Sequence, residues 1–216
     1  MRKKYKILMI VIISIAVILG GLLIYQKFFY KEPVEAPVNT VTVTNTIDEY
    51  GYTLEDRDTA LFEEKFHELE TLLNQEEFDQ EEYVSLVSQL FIIDFYTIDN
   101  KISRYDIGGL EYVYTDAVAS LKSVAQNSIY KTVENNLDDT RTQDLPEVAS
   151  ITVDSISDYE YIMPDESTVS GYRVALSWTY TENLGYDSEG VLVLIPDGNK
   201  VGVVYFNPWE NFDDLV

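Results

Sequence analysis

Asp94 is the residue whose position raises a chemical question. It stands four residues after Leu90, seven after Val87 and three after Phe91, so on a helix it shares their apolar face. A carboxylate there must find a partner or keep its proton, because burial disfavours its charge. Lys101, Arg104 or a tyrosine hydroxyl would serve as that partner, and capping of the following segment is another structural use. His67 is the one histidine. It follows the apolar Phe66 amid Glu63, Glu64, Glu68 and Glu70, which read as a solvated face with no orienting group for general base work. The remaining acids do not form a calcium loop. Asp187-Ser-Glu-Gly190 and Asp197-Gly-Asn199 lack oxygens at alternate positions closed by a final glutamate, and Asp138-Asp139 and Asp213-Asp214 are isolated pairs.

The chain contains no Gly-x-x-x-x-Gly-Lys-Ser/Thr loop, no Gly-x-Gly-x-x-Gly, no His-Glu-x-x-His and no Gly-x-Ser-x-Gly. With one histidine and no cysteine, most hydrolase and metalloenzyme designs lack parts. The sequence therefore assigns no catalytic residue, no metal and no cofactor. The absence of cysteine also removes disulfides and a lipid-attachment site.

The elements that would position Asp94 begin with two amphipathic patterns. Leu61, Phe62, Phe66, Leu69, Leu72 and Leu73 fall on one helical face, with Asp58 or Thr59 as N-cap. A second helix starts at Asp79 with Glu82 three residues on, an acidic variant of the capping box. Its stripe is Tyr83, Leu86, Val87, Leu90, Phe91, Ile93 and Phe95, and it ends near Asp99-Asn100. Past Gly108-Gly109, a third 3.6-residue pattern from about Leu110 to Asn136 predicts another helix through Val113, Ala117, Val118, Leu121, Val124, Ala125, Ile129 and Val133.

After Asp144-Leu145-Pro146 the period becomes two. Ala149, Ile151 and Val153 alternate with polar residues, and Tyr159, Tyr161 and Met163 resume in shifted phase, which predicts a bulge near Ser155. Tyr172, Val174, Leu176, Trp178 and Tyr180 mark a strand. Residues 190–195, the turn Pro196-Asp197-Gly198-Asn199 and residues 201–206 form a hairpin. Helices followed by four sequential strands predict an α+β domain: three helices packed on a four-stranded curved antiparallel sheet.

Charge and hydropathy divide the chain. Residues 1–31 hold six of the fifteen Lys and Arg and no acid; the remainder sets nine bases against thirty-eight acids. Such a body repels nucleic acid, which is excluded as a partner. Ile7 to Ile24 is uncharged and Tyr25 extends it. At ~1.5 Å per residue the stretch is long enough for one transmembrane helix. Arg2, Lys3, Lys4 and Lys6 precede it, which predicts a cytoplasmic N-terminus and an extracytoplasmic body. The apolar run is longer than that of a cleaved signal peptide and lacks a small-residue cleavage site.

The expected organisation is thus a basic stub (1–6), a membrane anchor (7–25), a linker or possible edge strand (26–57), the α+β domain (58–206) and an acidic, aromatic tail (207–216). The tail either packs across the sheet or acts as a docking segment, since aromatics seldom stay exposed.

An anchor, then helices, then a four-stranded sheet over residues 58–206 resembles the cone-shaped NTF2-like superfamily, and more closely the extracytoplasmic domains of VirB8-type subunits. The segment from Phe91 to Lys101 is also similar in style to parts of anchored proteins of Gram-positive bacteria. The VirB8-type resemblance implies a non-enzymatic scaffold that meets other membrane or envelope proteins by protein–protein interaction. The wider superfamily implies an alternative, a ligand or enzymatic pocket at the cone mouth, with Asp94 as its acid and Tyr96, Tyr130, Tyr172 and Trp178 around it.

Overall fold

The computed structural model describes residues 40–208. The anchor expected at Ile7 to Tyr25 and the tail beyond Pro208 lie outside them. Among the described residues no helix is long and apolar enough to cross a membrane.

The described residues form an α+β fold. A two-stranded antiparallel hairpin, β1 (Val43–Ile47) and β2 (Tyr52–Glu55), leads into α1 (Ala60–Leu73) and α2 (Gln80–Tyr96). Two short 3₁₀ turns, Leu110–Tyr112 and Thr115–Ala117, precede α3 (Val118–Asn127). Strands β3 (Val148–Ile162), β4 (Thr168–Tyr180), β5 (Glu189–Asp197) and β6 (Lys200–Asn207) then form an antiparallel sheet in sequence order.

Local chemistry sets the helix starts. Thr59 caps α1 by accepting from the Phe62 N–H, and Asp79 caps α2 by accepting from the N–H groups of Glu81 and Glu82. Each satisfies donors that the first helical turn leaves free. Helix α2 is the central beam: from Tyr83 to Tyr96 its residues are buried all round except Ser85, Gln89 and Asp94. Its C-terminus is tied to the sheet, because Ile98 and Asp99 N–H donate to the Pro146 carbonyl at 2.9 and 3.2 Å.

Two sequence expectations change. The third helix does not run from Leu110 to Asn136. Val113 forms a parallel bridge with Val203, and Tyr114 N–H donates to the Val203 carbonyl at 3.0 Å instead of continuing a helical ladder. The apolar 3.6 period is there, but β6 claims the backbone, and only Val118–Asn127 is α-helical. The stretch 43–55 is also more than linker: Tyr52 and Leu54 of the hairpin sit in the core, with the Tyr52 and Tyr83 hydroxyls 2.9 Å apart. The bulge expected near Ser155 occurs as a register shift between Val153 and Ser155.

Candidate functional site

Asp94 occupies a cleft built by four segments. Beyond the end of α2 the chain turns back, and the Lys101 ammonium, 1% exposed, reaches the Asp94 Oδ1. On the other side Gly109 N–H donates to Asp94 Oδ2 at 2.5 Å. Gly108 has no room for a side chain, since a Cβ would stand 2.1 Å from the Asp94 carbonyl oxygen. The carboxylate thus bonds an ammonium and an amide, which is the structural partnership open to a partly buried acid.

Around this pair opens a cleft of about 270 Å³. Its wall carries Glu55, Asp58, Asp106 and Glu111 beside Asp94, with Arg57 the one base among the lining residues. Arg57 is committed: its Nε donates to Glu55 at 2.7 Å and its guanidinium forks onto Asp106. Burial would raise the Asp106 pKa, but Arg57 and the Ile102 N–H outweigh it and hold that carboxyl below its ordinary value.

Asp58 and Glu111 lack a cation of their own. Burial pushes Asp58 up to about 6; the Glu55 N–H it accepts from, at 2.7 Å, only partly offsets this, and the Asp94 charge adds to the rise. Burial likewise pushes Glu111 up to about 7, although its carboxylate accepts from the Thr53 N–H at 3.1 Å and from the Thr53 hydroxyl at 2.8 Å. Two acids that titrate near neutrality on one cleft can give or take a proton, as functional sites often require. The same residues also have a structural task, since Glu111 pins the β1–β2 hairpin through Thr53.

The aromatic residues expected around Asp94 lie elsewhere. Tyr130 is fully buried, donating to the Phe95 carbonyl at 2.7 Å and accepting from Gly108 N–H at 3.2 Å. It supports the loop that holds Asp94 without lining the cleft. Tyr96 and Trp178 pack with ring centroids 4.9 Å apart on the other side of α2, and Trp178 Nε1 donates to the Tyr180 hydroxyl at 2.8 Å. Tyr172 sits on β4 opposite Leu194 of β5.

Tyr96 borders a second, apolar groove of about 500 Å³. Phe95 and Tyr96 of α2, Leu121 and Val124 of α3, Ile129 and Phe206 line it, together with Tyr186 and Asp187 of the β4–β5 loop. It lies between the third helix and the sheet, and Asp94 is not among its lining residues. His67 is on the exposed face of α1, its Nδ1 3.1 Å from Glu70 Oε2, as its acidic neighbours implied. Among the described residues no group of three or more His, Asp or Glu is arranged to hold a metal ion.

Sequence reasoning missed Glu111 and the cleft role of Asp58. No local signal marks them: Asp58 precedes the first helix, Glu111 follows the Gly108-Gly109 loop, and only the folded chain brings them to Asp94. No family model, curated protein or solved structure matches the chain.

Proposed function

We propose that this is a non-enzymatic, single-pass membrane protein whose acidic α+β body stands outside the cytoplasm and acts by contact with other membrane or envelope proteins, as a scaffold in an envelope or secretion-type assembly. The observation that carries the contact is the β3–β4 arm. From the Glu160–Ser170 pair to the Ile162–Thr168 pair these strands run past the section of β4 that pairs with β5, so the ribbon has no third strand among the described residues. Ile162 is 70% exposed there, and Tyr159 is exposed beside it.

The edges of the sheet differ in the same sense. Val203 of β6 is bridged by Val113, whereas β3 has no strand on its outer edge among the described residues. An unpaired edge is a template for a strand from another protein. Asp154, Asp158 and Glu160 along β3 disfavour pairing with an equally acidic second copy, so a partner with basic groups fits better. The uncharged run at residues 7–25, with basic residues before it, supports the membrane placement. Helices followed by a four-stranded meander support the NTF2-like, cone-shaped reading of the fold.

A photo-crosslinking residue at Ile162, in the full chain in its native cells, tests the reading. Adducts with another membrane or envelope protein at 162, and none from the exposed Glu64 on α1, are expected. Absence of adducts at both 162 and 159 counts against it. Protease added to protoplasts should remove the body; protection would place the body on the cytoplasmic side.

The second reading, a small-ligand or enzymatic pocket, is favoured by Asp58 and Glu111 with their raised pKa values on an open cleft. Because Asp94 is paired with Lys101, proton chemistry there falls to Asp58 and Glu111. Turnover or saturable binding of a small molecule that Glu111→Gln abolishes would establish this reading over the first.

A further inference from the structure

We propose that the chain carries its own ligand for the apolar groove: residues 209–216 fold back onto α3 and the end of α2, with Trp209 and Phe212 as anchors. The groove and this tail are separate from the β3–β4 arm, so the inference stands whether or not the arm binds a partner.

Among the described residues no side chain fills the groove. Leu121, Val124 and Ala125 follow the i, i+3, i+4 spacing of one face of α3, and with Ser128 just after its end they line the groove. Only Ala125 of α3 is buried, while Val124 is 60% exposed. Phe95, Tyr96 and Phe206 supply aromatic faces, against which an indole or phenyl ring packs well.

Chain continuity selects the occupant. Asn207 and Pro208, the last described residues, themselves line the groove, so the described chain ends at its wall. The eight residues that follow read Trp-Glu-Asn-Phe-Asp-Asp-Leu-Val. Extended, they reach up to about 26 Å, so no part of the groove is out of range. Trp209 and Phe212 supply two aromatic groups, and Leu215 and Val216 two aliphatic ones, among the acids Glu210, Asp213 and Asp214.

A tethered segment of this length also competes at an effective concentration on the order of millimolar. A second copy would have to bring a body of nine bases and thirty-eight acids against its like.

The full chain in lipid nanodiscs gives the test, because it has two tryptophans, Trp178 and Trp209. Subtracting the emission of Trp209→Phe from that of the parent isolates Trp209. The expected result is a blue-shifted Trp209 emission, independent of protein concentration, that Val124→Asp shifts to the red with a roughly twofold or greater gain in acrylamide quenching. Val124 is largely exposed, so that substitution leaves the fold intact, and an unchanged far-ultraviolet circular dichroism spectrum confirms it. Trp209 quenched as freely as a tryptophan amide in water would overturn the proposal. So would shielding that Val124→Asp leaves untouched, which assigns the tail to another surface, or shielding lost on dilution, which assigns it to a second copy.

Discussion

A carboxylate among apolar groups can acquire a counter-charge or keep its proton, and Asp94, Asp58 and Glu111 divide along that line. Asp94 acquires Lys101. Removing one member of such a pair leaves the other charge buried without compensation, which costs far more than the pair contributes. Asp94→Ala is therefore expected to lower the unfolding free energy in urea by about 3–5 kcal/mol. Asp94→Leu combined with Lys101→Met should recover most of that loss; a double variant as unstable as the single one would refute the charge argument. Asp58 and Glu111 lean toward the proton. With pKa values of about 6 and about 7 against ordinary values of 3.8 and 4.5, the folded state holds these protons more tightly than the unfolded chain. Their stabilisation is complete below the ordinary values and is lost as pH rises through 6 and 7. Asp106 works in the opposite sense: its lowered pKa gives stability that disappears as pH falls through and below about 3.8. Thermal unfolding should therefore show stability rising from pH 8 to pH 5, by on the order of 2 kcal/mol, before acid destabilises the Arg57–Asp106 pair. Glu111→Gln with Asp58→Asn should flatten the upper limb; an unchanged slope would place its origin elsewhere.

Helix α2 was plain in the sequence because its apolar residues outnumber any single face and its cap, Asp79, stands beside the acidic first turn it serves. The alternation through β4 and the phase slip in β3 were equally local, since a pleated strand writes its burial into every second residue. What the sequence could not reveal is pairing between distant segments. The run from Leu110 reads as helix by periodicity, and nothing within it announces that Val203 will take its backbone. The cleft was illegible for the same reason: Thr53 meets Glu111 and Arg57 meets Asp106 only after the hairpin has packed. One element does carry a local sign of its role, the Gly108-Gly109 loop. Gly109 has φ +75° and Gly108 lies against the α2 backbone, so the loop needs a left-handed residue and a missing side chain side by side. Gly108→Ala must push the loop off Asp94 and is expected to cost about 2–4 kcal/mol in chemical denaturation. Gly51→Ala, at a similar positive φ but with open space around its Cα, should cost only about 1–2 kcal/mol. Equal losses at the two positions would mean that close approach to α2 is not what Gly108 provides.

At the scale of the molecule, the boundary between tether and body falls where burial begins rather than where helices begin. The hairpin 43–55 contributes Tyr52 and Leu54 to the same core as α1, α2 and the sheet. Tyr52 stacks on Tyr112 with centroids 4.9 Å apart, and its hydroxyl meets that of Tyr83. Removing the hairpin would uncover these rings and leave Glu111 without its Thr53 donors, a deficit of several kcal/mol from one buried aromatic and two hydrogen bonds. That is comparable to the whole stability of an ordinary domain. The region before the hairpin has no such claim on the core among the described residues, and the acid excess of the remainder favours solubility once the apolar run is gone. A chain beginning at Lys31 should therefore be soluble and unfold in one cooperative transition, whereas a chain beginning at Asp58 should be insoluble or show a broad, weakly cooperative melt. Circular dichroism melts and size-exclusion profiles of the two chains decide the matter. If both fold equally well, the hairpin is an ornament on the body; if neither does, the stability of the body depends on residues before Lys31.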